Sequence, residues 1–571
     1  MISGGTVVDG TGAPARTADV AVTGGRVTHV GRVDGPARRM FDATGCLVAP
    51  GWVDIHTHFD GQATWDPLLT PSSWHGVTTV VMGNCGVGFA PMRPGSEAWL
   101  AGLMEGVEDI PSEVLTSGMP WGWETFGDYL DVLDRMPHAI DMGALLPHGA
   151  LRAYVMGERG ARNDRAGDDD LHAMDEIARE AFSAGALGVS TSRTTVHKAV
   201  DGEPVPGTFA DDRELDMLAR AVADHPGAIF QIVPRGITGE DPQGLQREMD
   251  WITRVGVDLG CPTTVEVQQS HGDPDAWQAA LAACEAAHAR GAFTRPQVAG
   301  RLIAILFGHQ TALHPFARLP SYLPLARLPL DERVARLRDP DLRRRLLAEE
   351  PPDDRETQLL PFTPDKIFPI GDPPDYEPEP EQSVAALAQH EQRSVKDVLY
   401  DRMLDGDGRE LLMYAGANYA YGDGEAVRAM LEHPLTLLGA SDAGAHVGVV
   451  CDASMPTFML THWARDRRRG PRLALEQVVH DQTLDTARAF GLHDRGVLAA
   501  GYRADINIID FEGLQLRRPE MLFDLPGGFR RLVQRADGYV ATIVHGEVIT
   551  EHGEDTGARP GHVVRRPTLR R

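Results

Sequence analysis

Lysine is almost absent from this chain of 571 residues. Only Lys198, Lys366 and Lys396 occur, so nearly all of the basic side chains are arginines. Acidic residues outnumber basic ones by 82 to 55, which gives a formal net charge of −27. A balance this acidic argues against nucleic acid or an anionic membrane as the main partner.

Long apolar runs and paired cysteines are also missing. No apolar stretch reaches the ~18 residues that a membrane helix needs, and no basic segment leads into an apolar one at the N-terminus. The five cysteines are odd in number, widely spaced and free of any Cys-x-x-Cys motif. We therefore expect no disulfide framework, and a cytoplasmic location fits best.

A short apolar strand followed by a helix-length segment recurs along the central part of the chain. This alternation predicts an α/β fold in which parallel strands close into a (β/α)8 TIM barrel. Helices are predicted at 168–184, 212–223, 277–290 and 473–491. The eight predicted strands are 51–55, 78–82, 142–146, 186–191, 228–233, 263–269, 293–298 and 435–440.

Both ends of the chain are predicted to form short strands separated by glycine-containing turns. The first 48 residues read as an antiparallel meander, and two further strands are predicted at 504–510 and 539–546. Neither end has enough strands to bury a core alone. We therefore predict one small β-sandwich built from 1–49 plus 498–571, beside a barrel at 50–497.

The seventh and eighth predicted strands are separated by roughly 135 residues, which is far longer than an ordinary loop. Residues 300–382 are rich in proline and contain a predicted helix at 331–349. We interpret this part as an insertion that covers the barrel mouth as a lid. A surface elaboration unrelated to catalysis is the alternative.

Two imidazoles lie one residue apart at the first predicted strand, in Asp54-Ile-His-Thr-His58. Side chains at positions i and i+2 of a strand point to the same side, so His56 and His58 can bind one metal ion. Catalytic groups in a TIM barrel lie at the C-terminal ends of the strands, which is where this pair falls. The sequence therefore predicts a metal site at this end of the barrel.

Three further side chains follow other predicted strands at the same end of the barrel. Cys85 follows the second strand, where its thiolate would be a strongly donating metal ligand. Asp442 follows the eighth strand, beside the first strand of a closed barrel, and its carboxylate could accept and return a proton during attack by water. His271 supplies a third imidazole after the sixth strand. The alternatives are a buried apolar cysteine and a helix-capping aspartate.

Four more residues are candidates for substrate binding. His148 and His197 follow the third and fourth strands and could serve as metal ligands, as hydrogen-bond donors to substrate, or as loop histidines without a catalytic role. Arg193 and Arg295 could each hold a substrate carboxylate in bidentate fashion, or could form structural ion pairs.

Nearly the whole chain resembles the amidohydrolase superfamily, and specifically its N-acyl-D-amino-acid deacylase (D-aminoacylase-like) branch. The Asn-Cys-Gly element is the most specific part of the resemblance. The matching motifs are Asp54-Ile-His-Thr-His58, Asn84-Cys-Gly86, Gly185-Ala-Leu-Gly188, Ser441-Asp442 and Gly501-Tyr-Arg-Ala-Asp505.

The resemblance implies a zinc enzyme that hydrolyses a linear amide, with Asp442 as general acid/base. Many members of the superfamily bridge their metals with a carboxylated lysine, whereas this branch uses a cysteine, here Cys85. The scarcity of lysine agrees with that assignment, although Lys198 keeps the lysine alternative open. The resemblance also implies a sandwich built from both chain ends and an insertion over the site.

One departure from the branch concerns the fifth strand. A Thr-His-x-Arg pattern is expected there, but this chain has Gln231-Ile-Val-Pro-Arg235, with no histidine. A second metal site would need that histidine together with Cys85 and His271. We therefore expect one zinc ion held by His56, His58, Cys85 and Asp442, with a second ion left open.

The leading hypothesis is therefore a metal-dependent amidohydrolase that removes the acyl group from an N-acyl (D-)amino acid or a related amide. The alternatives are hydrolysis of a cyclic amide or of a specialised-metabolite amide, and a barrel that binds ligands without catalysis. A small-molecule amide is the expected partner, with neither nucleic acid nor membrane, and assembly into a homo-oligomer is left open.

Overall fold

The computed structural model describes residues 1–352 and 362–566, and a barrel of parallel strands lies at its centre. Neighbouring strands pair in parallel register along two runs, and a bridge between Thr57 and Ala443 brings the eighth strand beside the first. The predicted (β/α)8 barrel is confirmed. The eight strands are Trp52–Asp54, Val77–Met82, Asp141–Ala144 with Leu146–Pro147, Gly188–Ser192, Ile229–Val233, Thr263–Glu266, Thr294–Val298 and Leu437–Leu438.

Helices connect the barrel strands and pack around them. The helices Asp168–Ala184 and Asp212–Ala223 have the predicted bounds. The first ends at Gly185, whose φ of 115° is a left-handed conformation that favours glycine. The predicted helix at 473–491 is instead two short helices. The other helices of the barrel are Glu97–Glu108, Ser112–Gly118, Phe126–Asp134, His148–Met156, Glu158–Ala161, Pro242–Asp258, Ala276–Ala289, Glu425–Leu431, Met455–Phe458, Leu475–Asp481 and Leu484–Ala489.

Strands from both ends of the chain form one nine-stranded sheet, which confirms the predicted terminal β-sandwich. Ile506 pairs with Pro50, and Val20, Val48 and Ile543 belong to the same buried core. The N-terminal part is not a simple meander, because two of its strands pair in parallel with the first. The strands are Ile2–Val7, Arg16–Thr23, Arg26–Gly31, Phe41–Asp42, Leu47–Pro50, Ile506–Ile509, Tyr539–Val544, Glu547–Glu551 and Glu554–Asp555.

The insertion between the seventh and eighth barrel strands has its own hydrophobic core. Its antiparallel sheet consists of Ile303–Phe307, Leu412–Ala417 and Ile367–Pro369, with Leu412–Ala417 in the middle. The insertion therefore extends beyond the predicted limit of residue 382. Part of the predicted lid, at 353–361, lies outside the described residues.

The predicted helix at 331–349 is two helices, Leu330–Leu337 and Pro340–Ala348. Pro340 lacks the backbone N–H that would continue the first helix, and it starts the second. The Asp339 side chain caps that second helix by accepting hydrogen bonds from the backbone of Asp341 and Leu342. Two further helices of the insertion are Val384–Glu391 and Val395–Leu404.

A hairpin near the C-terminus, formed by Glu520–Leu525 and Phe529–Val533, packs against the barrel mouth. The backbone N–H of Leu532 donates to the carbonyl of Val447, in the loop that follows the eighth strand. All five cysteines are free. Within the described residues, no helix combines the length and the apolar character needed to cross a membrane.

Candidate metal centre

His56 and His58 lie just past the end of the first barrel strand, and both side chains are completely buried. The Nε2 atom of His56 is 3.3 Å from the Sγ of Cys85 and 3.3 Å from the Oδ1 of Asp442. The Nε2 atom of His58 is 3.5 Å from the same oxygen of Asp442. The structure therefore brings together four of the residues predicted as metal ligands.

Cys85 and Asp442 both have left-handed backbone conformations, with φ of 54° and 48°. Such conformations are uncommon outside glycine and persist where the surroundings hold them. The Cys85 backbone N–H donates to Oε1 of Gln231 at 3.1 Å, and the next N–H, of Gly86, donates to Oγ of Ser190 at 3.0 Å. Side chains of the fourth and fifth strands thus fix the direction of the cysteine.

The two histidines are oriented by groups on their far sides. Nδ1 of His56 is 2.9 Å from Oε1 of Gln297, on the seventh strand. Nδ1 of His58 is 3.3 Å from Oε1 of Glu108, at the C-terminal end of a helix. Partners of this kind fix the tautomer of a metal-ligating histidine and leave its Nε2 lone pair free for the ion.

The donor atoms fit a divalent ion. Tetrahedral zinc, with bonds of about 2.1 to 2.3 Å to nitrogen and sulfur, places neighbouring ligand atoms roughly 3.3 to 3.7 Å apart. The contacts of His56 with Cys85 and Asp442, both 3.3 Å, and of His58 with Asp442, 3.5 Å, fall in that range. The ligand atoms of His56, His58 and Cys85 all lie within 4.8 Å of one another. The Nε2 atom of His58 is buried and makes no hydrogen bond within the described residues, as expected of a nitrogen that binds a metal ion.

Burial and neighbouring charges set the protonation of the cluster. Burial lowers the pKa of His58 to about 4, so the ring is neutral and can donate a lone pair at neutral pH. Burial alone would raise the pKa of Asp442, but the nearby imidazoles of His58 and His56 outweigh it and hold that pKa well below its usual range. Burial, with Glu108 and Glu266 nearby, raises the pKa of the Cys85 thiol. A cation is what would bring this thiol to its thiolate form.

Three residues around the cluster escaped the sequence prediction: Glu108, Glu266 and Gln297. Glu266 ends the sixth strand in register with Gln297, and burial raises its pKa to about 7. The sequence does contain a signal for Glu266 and Gln297. A polar or acidic residue inside a buried strand destabilises the fold unless it has a partner or a functional role. Glu108 gives no such signal, because it lies on a helix far from the ligands in the chain.

His271 does not join the cluster. The sixth strand ends at Glu266, so His271 lies five residues further along, in a loop that extends toward the insertion. There its Nε2 donates to the carbonyl of Ala415 at 2.7 Å. At the fifth strand, where the expected histidine is missing, Gln231 binds the backbone of Cys85 instead.

His148 is buried among structural partners rather than at the metal centre. Its Nδ1 is 2.9 Å from Oγ1 of Thr191, and its Nε2 is 2.7 Å from Oε1 of Glu214. Glu214 also forms an ion pair with Arg152, and the side chains of His148, Glu214 and Arg152 are no more than 1% exposed. These contacts leave both ring nitrogens of His148 occupied.

The two arginines predicted to bind a substrate carboxylate are also engaged elsewhere. Arg193 forms an ion pair with Glu248 and donates to two backbone carbonyls. Arg295 forms an ion pair with Asp485 at 2.7 Å and likewise donates to two carbonyls. Each guanidinium therefore has a full set of protein acceptors, and their predicted role in substrate binding remains a prediction without structural support.

His197 is the predicted substrate-binding residue that lies close enough to Asp442, His58 and His56 for their charges to affect its pKa. Its Nδ1 is 3.0 Å from Oγ of Ser192. Burial lowers its pKa to about 4, and the nearby His446 acts in the same direction. A neutral ring at this position can donate a hydrogen bond to a substrate oxygen.

Comparisons with known proteins agree with this geometry. A family model described as the amidohydrolase family matches residues 39–360 and 386–550. D-aminoacylase from Alcaligenes xylosoxydans xylosoxydans is 28% identical over 572 residues, covering 99% of this chain and 97% of that protein. N-acyl-D-aspartate deacylase from the same organism is 27% identical over 577 residues, covering 99% and 94%. A solved D-aminoacylase structure, described as having a binuclear metal center, has a TM-score of 0.65 at 26% identity, with 99% of each chain covered.

Proposed function

The chain belongs to the amidohydrolase family, and from this premise we propose that it is a zinc-dependent enzyme that removes the acyl group from N-acyl-D-amino acids. The observation that carries the proposal is that the ligand atoms of His56, His58 and Cys85 lie within 4.8 Å of one another at the barrel mouth, with Asp442 3.3 Å from His56 and 3.5 Å from His58. The full-length similarity to D-aminoacylase and to N-acyl-D-aspartate deacylase supports the substrate class.

We assign His56, His58, Cys85 and Asp442 as the residues that hold the ion. A zinc ion in this position supplies Lewis acidity and lowers the pKa of water. Gln297 and Glu108 keep the two imidazoles in their donating orientation. Donor sets of two imidazoles, a thiolate and a carboxylate suit zinc better than magnesium or calcium, which prefer oxygen ligands.

Asp442 moves the proton. Its low pKa keeps the carboxylate ionised at neutral pH, so it can accept a proton from the attacking water. The same carboxyl group then delivers that proton to the amide nitrogen as the C–N bond breaks. His197 is positioned to donate to the substrate oxygen on which negative charge develops.

We propose a single tightly held ion. The second site expected from the resemblance needs a fifth-strand histidine and His271, but Gln231 occupies the former place and His271 binds the carbonyl of Ala415. Glu266 and Asp60 are further acidic groups close to Cys85. A second ion there would have fewer strong donors than the first, so we expect it to bind weakly.

The remaining assignments follow from the fold. We propose that the terminal sandwich comprises 1–49 plus 498–571 and the barrel 50–497. We also propose that the insertion starting at 300 covers the mouth, since Leu306 donates a backbone hydrogen bond to Val449 in the loop after Asp442.

Five free cysteines favour a cytoplasmic location, and the expected partner is a small-molecule substrate.

The experiment is a hydrolysis assay of zinc-loaded protein with N-acetyl-D-amino acids, N-acetyl-L-amino acids and cyclic imides. We expect amine release from the D-amino acid derivatives, lost in His56→Ala and retained in His480→Ala. His480 is a suitable control because it binds the carbonyl of Gly10, away from the metal centre. Ring opening of the imides, with the acyl amino acids left intact, would contradict the proposed substrate class.

A further inference from the structure

Asp54 ends the first barrel strand, two residues before His56, and it is only 7% exposed. The metal ligands and the proton transfer proposed above make no use of its carboxylate. Its Oδ1 accepts a hydrogen bond from the backbone N–H of His56 at 3.2 Å, and its Oδ2 accepts one from the hydroxyl of Ser441 at 2.5 Å. Ser441 immediately precedes Asp442 in the chain, so Asp54 links the first strand to the loop that carries the proposed base.

The loop that carries Asp442 extends past the end of the barrel sheet. The eighth strand, Leu437–Leu438, is only two residues long, and Gly439 donates a backbone hydrogen bond to Val298 of the seventh strand at 3.0 Å. Beyond Gly439, both Ala440 and Asp442 adopt left-handed conformations, with φ of 53° and 48°. Such conformations persist in residues other than glycine where the surroundings hold them, so the direction of Asp442 depends on what its neighbours bind.

The Ser441 hydroxyl joins this loop to the first strand. It lies 2.5 Å from Oδ2 of Asp54 and 3.2 Å from the carbonyl of His56, and it accepts a hydrogen bond from the backbone N–H of Ala443 at 3.3 Å. A hydroxyl donates a single proton, and because the carboxylate is the closer acceptor and is acidic, we assign that donation to Asp54. Ala443 continues the attachment, since its carbonyl accepts from the backbone N–H of His58 at 2.7 Å.

Ser441 borders a cavity as well as the first strand. The residues that line this cavity include Ser441 and Asp54 together with Trp52, Met455 and Gln482. A side chain beside a cavity has fewer packing contacts on that side, so hydrogen bonds have the larger part in fixing its orientation. Ser441 is only 4% exposed, so bulk water does not compete for its hydroxyl. The bond to Asp54 is therefore the main restraint on the Ser441 side chain.

We propose that Asp54 is a positioning residue that acts on Asp442 through Ser441. The Asp54 carboxylate fixes the Ser441 hydroxyl, and this bond holds residues 440–443 in the conformation that brings Oδ1 of Asp442 to 3.3 Å and 3.5 Å from the Nε2 atoms of the two metal-site histidines. Loss of the bond lets the Asp442 carboxylate move away from the ion. The effect on turnover rests on the proposed function, in which Asp442 transfers the proton, whereas the effect on the geometry of the metal site does not.

Cobalt-substituted protein tests this positioning without turnover, because the visible absorption of Co²⁺ depends on the geometry and identity of its ligands. We expect Ser441→Ala to change the absorption bands of the bound cobalt, as Asp442→Asn also should. Asp54→Asn should stay close to the parent spectrum, since its Oδ1 can accept from His56 and its Nδ2 can donate to the Ser441 hydroxyl. Ser73→Ala is the matched control and should leave the spectrum unchanged, because Ser73 is 1% exposed and its hydroxyl has no hydrogen-bond partner among the described residues.

In the zinc-loaded protein, Ser441→Ala should lower kcat by ~10- to 100-fold and leave KM within ~2-fold, because a displaced base slows the chemical step but not substrate binding. Added to Asp442→Asn, the same substitution should cause no further loss, since the group that it positions is already gone. An unchanged cobalt spectrum in Ser441→Ala, or an equal loss of kcat with and without Asp442, would overturn the positioning role. If the cobalt spectrum changes as expected but no acyl amino acid is hydrolysed, the proposed function fails and the positioning role stands.

Discussion

His56 donates from Nδ1 to the side-chain oxygen of Gln297 across a distance of 2.9 Å, from the first barrel strand to the seventh. The acceptor is an uncharged amide where many metal-ligating histidines have a carboxylate or a backbone carbonyl. The bond leaves the Nε2 lone pair facing Cys85 and Asp442. The side-chain amide of Gln297 therefore fixes the tautomer of His56, so that Nε2 is the nitrogen available to bind a metal ion.

Replacing Gln297 should change metal affinity before it changes the fold. In Gln297→Leu the proton on His56 Nδ1 loses its acceptor, so the ring can rotate or change tautomer. We expect zinc affinity to fall ~10- to 100-fold. Gln297→Glu keeps an acceptor at the same place and should retain the ion. Competition with a chelator measures both constants, and an unchanged affinity in the leucine variant would rule out this orienting role.

The number of tightly held ions should be close to one zinc per chain. The fifth strand offers Gln231, an amide, where a second strong ligand would be needed. Elemental analysis after gel filtration gives the ratio directly, and His56→Ala should remove the ion. Two ions that survive dialysis would show that Glu266 or another nearby group completes a second site.

Asp442→Asn should separate metal binding from catalysis. The asparagine keeps size and an oxygen ligand but cannot accept the proton, so we expect turnover to fall by ~10⁴-fold or more. Zinc should be largely retained because the histidines and Cys85 still hold it. Turnover, zinc content and circular dichroism are measured on one preparation. Near-normal turnover with zinc bound would exclude Asp442 as the base.

Glu214 should stabilise the fold through His148 and Arg152. Burial alone would raise its pKa, but the hydrogen bond from His148 and the nearby Arg152 lower it to about 2 from the ordinary 4.5. Because the pKa of Glu214 is lower in the folded state, its contribution to folding stability is fully present above about pH 4.5 and is lost as the pH falls toward 2. Glu214→Gln leaves Arg152 buried without a charged partner, which should cost about 3–5 kcal/mol at neutral pH.

Urea unfolding of Glu214→Gln at a series of pH values measures this contribution. The difference in the free energy of unfolding between Glu214→Gln and the parent protein should become smaller as the pH drops below about 4.5. Glu176→Gln is the control, because Glu176 forms an exposed pair with His172 and should change stability by less than about 0.5 kcal/mol. Equal losses of unfolding free energy in Glu214→Gln and Glu176→Gln would contradict the stabilising role assigned to Glu214.

Local patterns predict the barrel and the four candidate ligands because each depends on a short stretch of chain. The strand 229–233 and the helix at 168–184 are contiguous, and His56 and His58 follow directly from strand geometry. The contacts of Gln297 with His56 and of Glu108 with His58 join residues far apart in the chain, so no spacing rule identifies them.

The errors have similar causes. The sequence predicts His271 at the barrel rim because the predicted sixth strand continues to residue 269, whereas the strand ends at Glu266. The apolar periodicity of the helix at 331–349 concealed the break at Asp339-Pro340. The sequence predicts that the insertion ends near residue 382, because its middle strand, Leu412–Ala417, is distant in sequence from its partners.

The attachment of the hairpin to Val447 has a consequence for how the protein is made. Synthesis proceeds from the N-terminus, so the strands that carry His56, Cys85 and Asp442 leave the ribosome before Leu532 does. A nascent chain can close its barrel while the entrance still lacks one wall, and the sheet that joins Ile506 to Pro50 is incomplete at the same moment. Chains that terminate prematurely before residue 533 should therefore be poor enzymes and ready targets for proteases, even with every metal ligand present.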